Sequence, residues 1–148
     1  MTRNRGFTLL ELMVVVAIVA LATAGATLAL RDSNTTRLER EALRLSALLE
    51  SARAQSRTSG IPVTWRIQPQ GFEFEGLPKR RDPGDSMDGP RPWLDPETRA
   101  QIIRPTGART LVLGPEPLIA AQRLVLLQGE RRLTIATDGL APFAVVPP

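Results

Sequence analysis

The chain has no cysteine, no histidine and no tyrosine. Without cysteine there is no disulfide framework, no thiolate metal site and no cysteine nucleophile. Without histidine, the commonest general base, metal ligand and near-neutral pH switch are missing. Lys79 is the only lysine, so amine chemistry rests on one side chain. Aromatics make up 4% of the residues, and the net charge of +4 comes from arginines scattered along the chain. Nucleic-acid binding wants a basic stripe with interleaved aromatics, and no such stripe is visible, so no nucleic-acid partner is expected. These gaps leave few ways to build a catalytic or cofactor site. No enzyme activity, no cofactor, no metal and no small-molecule substrate is expected. At 148 residues the chain has room for about one domain.

What is present is concentrated at the N-terminus. Residues 1–6 are short, polar and basic, with Arg3 and Arg5. Phe7-Thr8-Leu9-Leu10-Glu11 follows, and from Leu12 to Leu30 no residue is charged. A helix of about 20 apolar residues spans a bilayer, and this run comes close to that length. The arginines in front of it place the N-terminus on the cytoplasmic side, because basic flanks stay inside. A cleaved secretory signal is the competing reading, with Ala22-Thr23-Ala24 imitating a cleavage site. The length of the run and the glutamate at its start argue for a retained anchor.

The string Gly6-Phe7-Thr8-Leu9-Leu10-Glu11, with a basic leader before it and an apolar run after it, resembles the prepilin peptidase recognition motif of type IV pilins and pseudopilins. The resemblance implies cleavage between Gly6 and Phe7 and N-methylation of Phe7. It also implies an assembly role for Glu11, whose carboxylate would meet the N-terminal amine of a neighbouring subunit. The residue types suit those roles. Glycine lets an active site close on bare backbone. An ionisable group at the edge of an apolar span is costly and usually has a partner. The milder reading of Glu11 is a carboxylate that suits its own helix dipole. Many pilins carry a proline at about the 22nd mature position, where this sequence has Leu28.

Beyond the anchor, Leu38, Ala42, Leu45, Leu49, Ala52 and Ser56 recur at spacings of four and three, with Leu48 widening the stripe. This is the period of an amphipathic helix, with Arg and Glu expected on its other faces. Glu41 and Arg44 stand at helical i,i+3 spacing. Gly60 and Pro62 read as its stop. The texture then changes to strands. Val63–Ile67 and Phe72–Glu75 alternate around a turn at Pro69-Gln70-Gly71, which reads as a hairpin. Residues 78–98 read as a long structureless loop rich in proline and glycine. Strand signals return at Thr110–Leu113, Arg123–Gln128, Arg131–Ala136 and Phe143–Val146. Asp138-Gly139 marks a turn.

The expected fold is therefore α+β, a long N-terminal transmembrane and amphipathic helix packed on a small antiparallel β-sheet head. Its organisation reads as a cleaved leader at 1–6, a transmembrane helix at 7–31, an amphipathic helix at 32–59 continuing into the head, and a periplasmic β-rich head at 60–148. Ala52-Arg53-Ala54-Gln55-Ser56, Gly60-Ile61-Pro62-Val63, Gly71-Phe72-Glu73-Phe74, Pro92-Trp93-Leu94 and Ile135-Ala136-Thr137-Asp138-Gly139 are similar to the minor pseudopilin H and fimbrial T-like group. That resemblance implies a minor pseudopilin of a type II secretion system, with a minor pilin of a type IV pilus as the alternative; a single-pass anchored periplasmic enzyme or binding domain is the reading from a different class, and the missing histidine and cysteine argue against it. It implies the prepilin peptidase, the major pseudopilin, other minor pseudopilins and the inner membrane as partners. Trp93, beside a proline in the long loop, is the candidate for an exposed protein contact, since tryptophan is enriched at interface hot spots. The alternative is a loop tucked back onto the sheet. Asp82, Asp85 and Asp88 are regularly spaced, but a solvated Pro/Gly loop explains them better than calcium.

Overall fold

The structure, a computed structural model, describes residues 9–77, 87 and 89–147, and for residues 24–36 the backbone alone. Gly6, Phe7, Lys79, Asp82, Asp85 and Asp88 lie outside the described residues. Among the described residues one helix, α1, runs over Leu9–Ser59. Eight strands follow among them: β1 (Thr64–Gln68), β2 (Gly71–Glu75), β3 (Arg91–Pro92), β4 (Arg99–Arg104), β5 (Thr110–Val112), β6 (Gln122–Gln128), β7 (Arg131–Thr137) and β8 (Ala144–Val146). The chain divides into two units between Thr35 and Thr36.

In the first unit the large apolar side chains of α1 from Leu9 to Leu21 are exposed. In the second unit α1 is amphipathic. Leu38, Ala42, Leu45, Leu49, Ala52 and Ser56 are all buried, so the four-three spacing marks the packed face. The helix ends at Gly60, whose φ is 70° and whose N–H donates to the Ser56 carbonyl oxygen at 2.9 Å. Only glycine adopts that left-handed cap without strain.

The head is two antiparallel sheets of four strands, ordered β3-β2-β1-β5 and β4-β6-β7-β8. In the first, Trp65 of β1 stands between Phe74 of β2 and Leu111 of β5. In the second, Leu124 of β6 stands between Ile102 of β4 and Ile135 of β7. Each trio is a cross-strand row of large apolar side chains, which is how a sheet is stabilised on its covered face. Both rows join the helix stripe, Phe72, Leu113 and Phe143 in one core. Each fully buried Leu, Ile or Phe contributes about 1.5–3 kcal/mol by leaving water.

Two expectations change. The segment read as a structureless loop at 78–98 contains an ordered piece: Arg91 pairs with Phe72 and Pro92 with Gly71, which adds β3 to the sheet edge. A proline is admissible there because an edge strand has one unpaired side. The second change is β4. Burial alternates from Arg99 to Ile103, and the register to β6 shifts between Ile102 and Arg104. Neighbouring residues of a strand face opposite sides, so Ile102 is buried and Ile103 exposed although both are apolar.

Candidate assembly site

Glu11 lies in the first described turn of α1 and is exposed. A carboxylate there faces the positive end of the helix dipole. Leu9, Leu10, Leu12, Met13 and Val14 surround it in sequence, each at least 49% exposed. The first unit therefore presents a carboxylate at the edge of an open apolar surface. Among the described residues no helix is long and apolar enough to cross a membrane. The side chains described in that unit stop at Thr23, whereas the uncharged run of the sequence continues to Leu30.

In the second unit, polar groups of α1 hold the strand connections. Glu41 is 1% exposed, although the periodicity placed Arg and Glu on the outer faces. Its Oε2 accepts the Leu94 backbone N–H at 2.5 Å, and its Oε1 meets the Arg44 guanidinium at 3.1 Å. Arg44 also donates to the Pro92 carbonyl oxygen at 3.3 Å and stands over the Phe72 ring. Arg37 reaches Asp95 at 3.4 Å. These contacts bind residues 92–95 to the helix. As a result Trp93 is 5% exposed, its ring 4.9 Å from that of Phe72. It is part of the core, and the expectation of an exposed tryptophan anchor is corrected: the segment is tucked onto the sheet.

Arg53, 2% exposed, does the same for the C-terminal turn. Its guanidinium donates to the carbonyl oxygens of Gly139, Ala141 and Pro117, and the neighbouring Glu50 accepts the Phe143 backbone N–H at 2.9 Å. The turn itself is built by the Thr137-Asp138-Gly139 string. Asp138 Oδ1 accepts the N–H groups of Ala141 at 2.7 Å and Leu140 at 2.9 Å, which hold its carboxyl below the usual carboxylate range. Gly139 has φ 97°, and a Cβ there would lie 1.9 Å from the Ile119 carbonyl oxygen. No side chain fits that approach.

Residues 1–27 match the prokaryotic N-terminal methylation motif. The fold is similar to that of the crystal structure of the Pseudomonas aeruginosa type IV minor pilin FimU, with a TM-score of 0.55 and 12% sequence identity, covering 77% of this chain and 91% of FimU. The fold of this chain is pilin-like. No curated protein matches the chain by sequence.

The surface of the pilin-like head carries shallow clefts. One, of about 670 Å³, lies between Arg66 and Ile67 of β1 and the segments Ala100–Ile102 and Gly107–Thr110, with no carboxylate in its lining. Among the described residues no cluster of His, Cys, Asp and Glu has the makings of a metal site. Sequence reading missed Glu41 and Arg53 as determinants of the head. The available signal was their place beside the stripe, three residues after Leu38 and four after Leu49.

Proposed function

We infer that this chain is a minor subunit of a type IV pilin-like filament, a structural component rather than an enzyme. The observation that carries the inference is the conjunction of an N-terminal methylation motif over residues 1–27 with a pilin-like head in the same chain. Either alone is weaker, since folds host many functions. In this reading Gly6 and Phe7 flank the prepilin peptidase cut, Phe7 is N-methylated, and the uncharged run anchors the chain in the inner membrane. The N-terminus is cytoplasmic and the head periplasmic. The open apolar surface around Glu11 is covered by the helices of neighbouring subunits on assembly.

The finer assignment is a minor pseudopilin of the H type in a type II secretion system, serving protein export across the outer membrane. It rests on the resemblance of the helix end, the first hairpin and the Ile135–Gly139 string to that group. A second reading, a minor pilin of a type IV pilus, is favoured by the likeness of fold to FimU. Two measurements test the proposal. Intact-mass analysis of the chain from its native membrane is expected to show a start at Phe7 with one added methyl group. A start near residue 25 would mean a cleaved secretory signal and end the proposal. Crosslinking in the same membranes then separates the readings, by capture of the major pseudopilin or of pilus subunits.

A further inference from the structure

The two sheets treat their outward arginines differently. On the first, Arg66 of β1 is flanked by two carboxylates, paired with Glu75 and within 3.8 Å of Glu73. On the second, Arg104 of β4 stands directly opposite Arg123 of β6, and both are exposed. No acidic residue occurs in β4, β6, β7 or β8. Neither Arg104 nor Arg123 has an ion pair or side-chain hydrogen bond among the described residues. Like charges directly opposite on neighbouring strands are destabilising. Folding therefore gains nothing from this pair.

The pair also lines a concavity. A cleft of about 520 Å³ is bounded by Arg104 and Arg123, with Thr106, Thr137 and Asp138 at its other walls. Two guanidinium groups offer forked donors that match an oxyanion. The Asp138 carboxylate, already taken up by the Leu140 and Ala141 N–H groups, sets a negative edge. That edge disfavours a continuous polyanion. No aromatic residue lines the cleft, so the stacking platform that single-stranded nucleic acid wants is missing.

We propose that the Arg104–Arg123 cleft is a docking site for a carboxylate side chain, an Asp or Glu presented by a neighbouring protein subunit. This rests on the reading of the chain as a filament subunit. The neighbour's carboxylate would relieve the repulsion between the two arginines, so the site gains its counter-charge only on assembly.

The test uses the full-length chain in its native membrane. Arg123→Lys keeps the charge and supplies an amine. A carbodiimide activates a carboxylate in contact, and the amine displaces the activated oxygen to form an amide, the reagent leaving as its urea. Lys79 is the only natural lysine, and the wild-type chain gives the background. An adduct between position 123 and an Asp or Glu of another subunit is expected. Arg104→Gln with Arg123→Gln should lower co-isolation of that subunit about tenfold, the loss of one charge-assisted contact. The thermal midpoint of the same variant in detergent should hold or rise, whereas a structural role would lower it.

Absence of the position 123 adduct, or an adduct only to this chain's own Asp138, overturns the proposal. So does binding of the wild-type chain to a DNA duplex that the double Gln variant abolishes. The cleft and the filament assignment fail separately. If the chain is processed at Phe7 and crosslinked to filament subunits through α1 but gives no adduct at 123, the cleft proposal falls and the filament reading stands. If it is neither processed nor assembled, both fall.

Discussion

Arg53 of α1, nearly fully buried, donates its guanidinium to the carbonyl oxygen of Gly139, in a turn more than eighty residues further along the chain. It reaches Ala141 at 3.2 Å and Pro117 at 3.5 Å with the same group. One side chain thus ties the helix to two connections at the end of the head. Hydrogen bonds from a charged donor contribute about 1.5–3 kcal/mol each when the partner would otherwise stay unsatisfied. Arg53→Ala leaves three carbonyl groups without this donor and is expected to cost about 3 kcal/mol in urea unfolding. Arg53→Lys should recover only part of this, because an ammonium on a single stem cannot span the fork. Equal midpoints for wild type and Arg53→Ala would show that the turn holds itself.

The same turn predicts an acid dependence. The Ala141 and Leu140 N–H groups favour the charged form of Asp138 and depress its folded pKa. A carboxyl depressed on folding stabilises the fold above its unfolded value of about 4. The contribution is lost as pH falls through the lower, folded value. The advantage of wild type over Asp138→Asn should therefore be full at neutral pH and shrink in strong acid. Urea midpoints of both proteins across that range measure it. A difference that stays constant down to the acid end would mean that the charge of Asp138 contributes nothing.

The helix stripe separates buried from exposed leucines that are close neighbours in sequence. Leu45 and Leu49 have no exposed surface, whereas Leu43 is 63% exposed. Leu45→Ala is expected to cost about 2–5 kcal/mol through lost burial and the cavity left behind. Leu43→Ala should stay within about 0.5 kcal/mol, as surface changes do. Similar losses for the two would place the helix in a different rotation on the sheets.

That contrast also shows where the sequence was legible. Repetition made the stripe and the first hairpin readable: Leu38, Leu45 and Leu49 recur at helical spacing, and Phe72 and Phe74 at strand spacing. The Gly60 cap and the Asp138-Gly139 turn were readable because their backbone shapes need those residues. The β4 strand was not, since the exposed Ile103 beside the buried Ile102 hides the alternation. The two-residue β3 is too short to carry a period. Glu41 and Arg53 looked like outer-face charges because burial of a charge depends on partners far away in sequence, Leu94 for one and Gly139 for the other. Trp93 fell on the wrong side for the same reason. Its burial follows from Glu41, Arg44 and Arg37 binding the 92–95 segment, and nothing local announces that.

Glu11 gives the last prediction. Its place in the first described turn of α1 fits a carboxylate serving its own helix dipole, and it fits one that pairs with a neighbour's N-terminal amine. The two separate by substitution. In the first case Glu11→Gln costs at most about 1 kcal/mol, and assembly stays near normal. In the second, the apolar side chains around Glu11 become covered on assembly, and the neighbour's amine is left without its counter-charge. Removing one partner of a buried pair costs about 3–5 kcal/mol. Because that pair forms only between subunits, the head should unfold at the same urea concentration with or without the substitution. The expected outcome is a Glu11→Gln chain that is cleaved at Gly6, inserted and folded, yet poorly crosslinked to its neighbours. The comparison is made with the neighbouring subunit already identified by crosslinking of the wild-type chain. A subunit at the filament tip has no preceding neighbour to offer an amine, so the contact must first be present in wild type. Wild-type yields for Glu11→Gln at a contact so established would assign the carboxylate to its own helix alone.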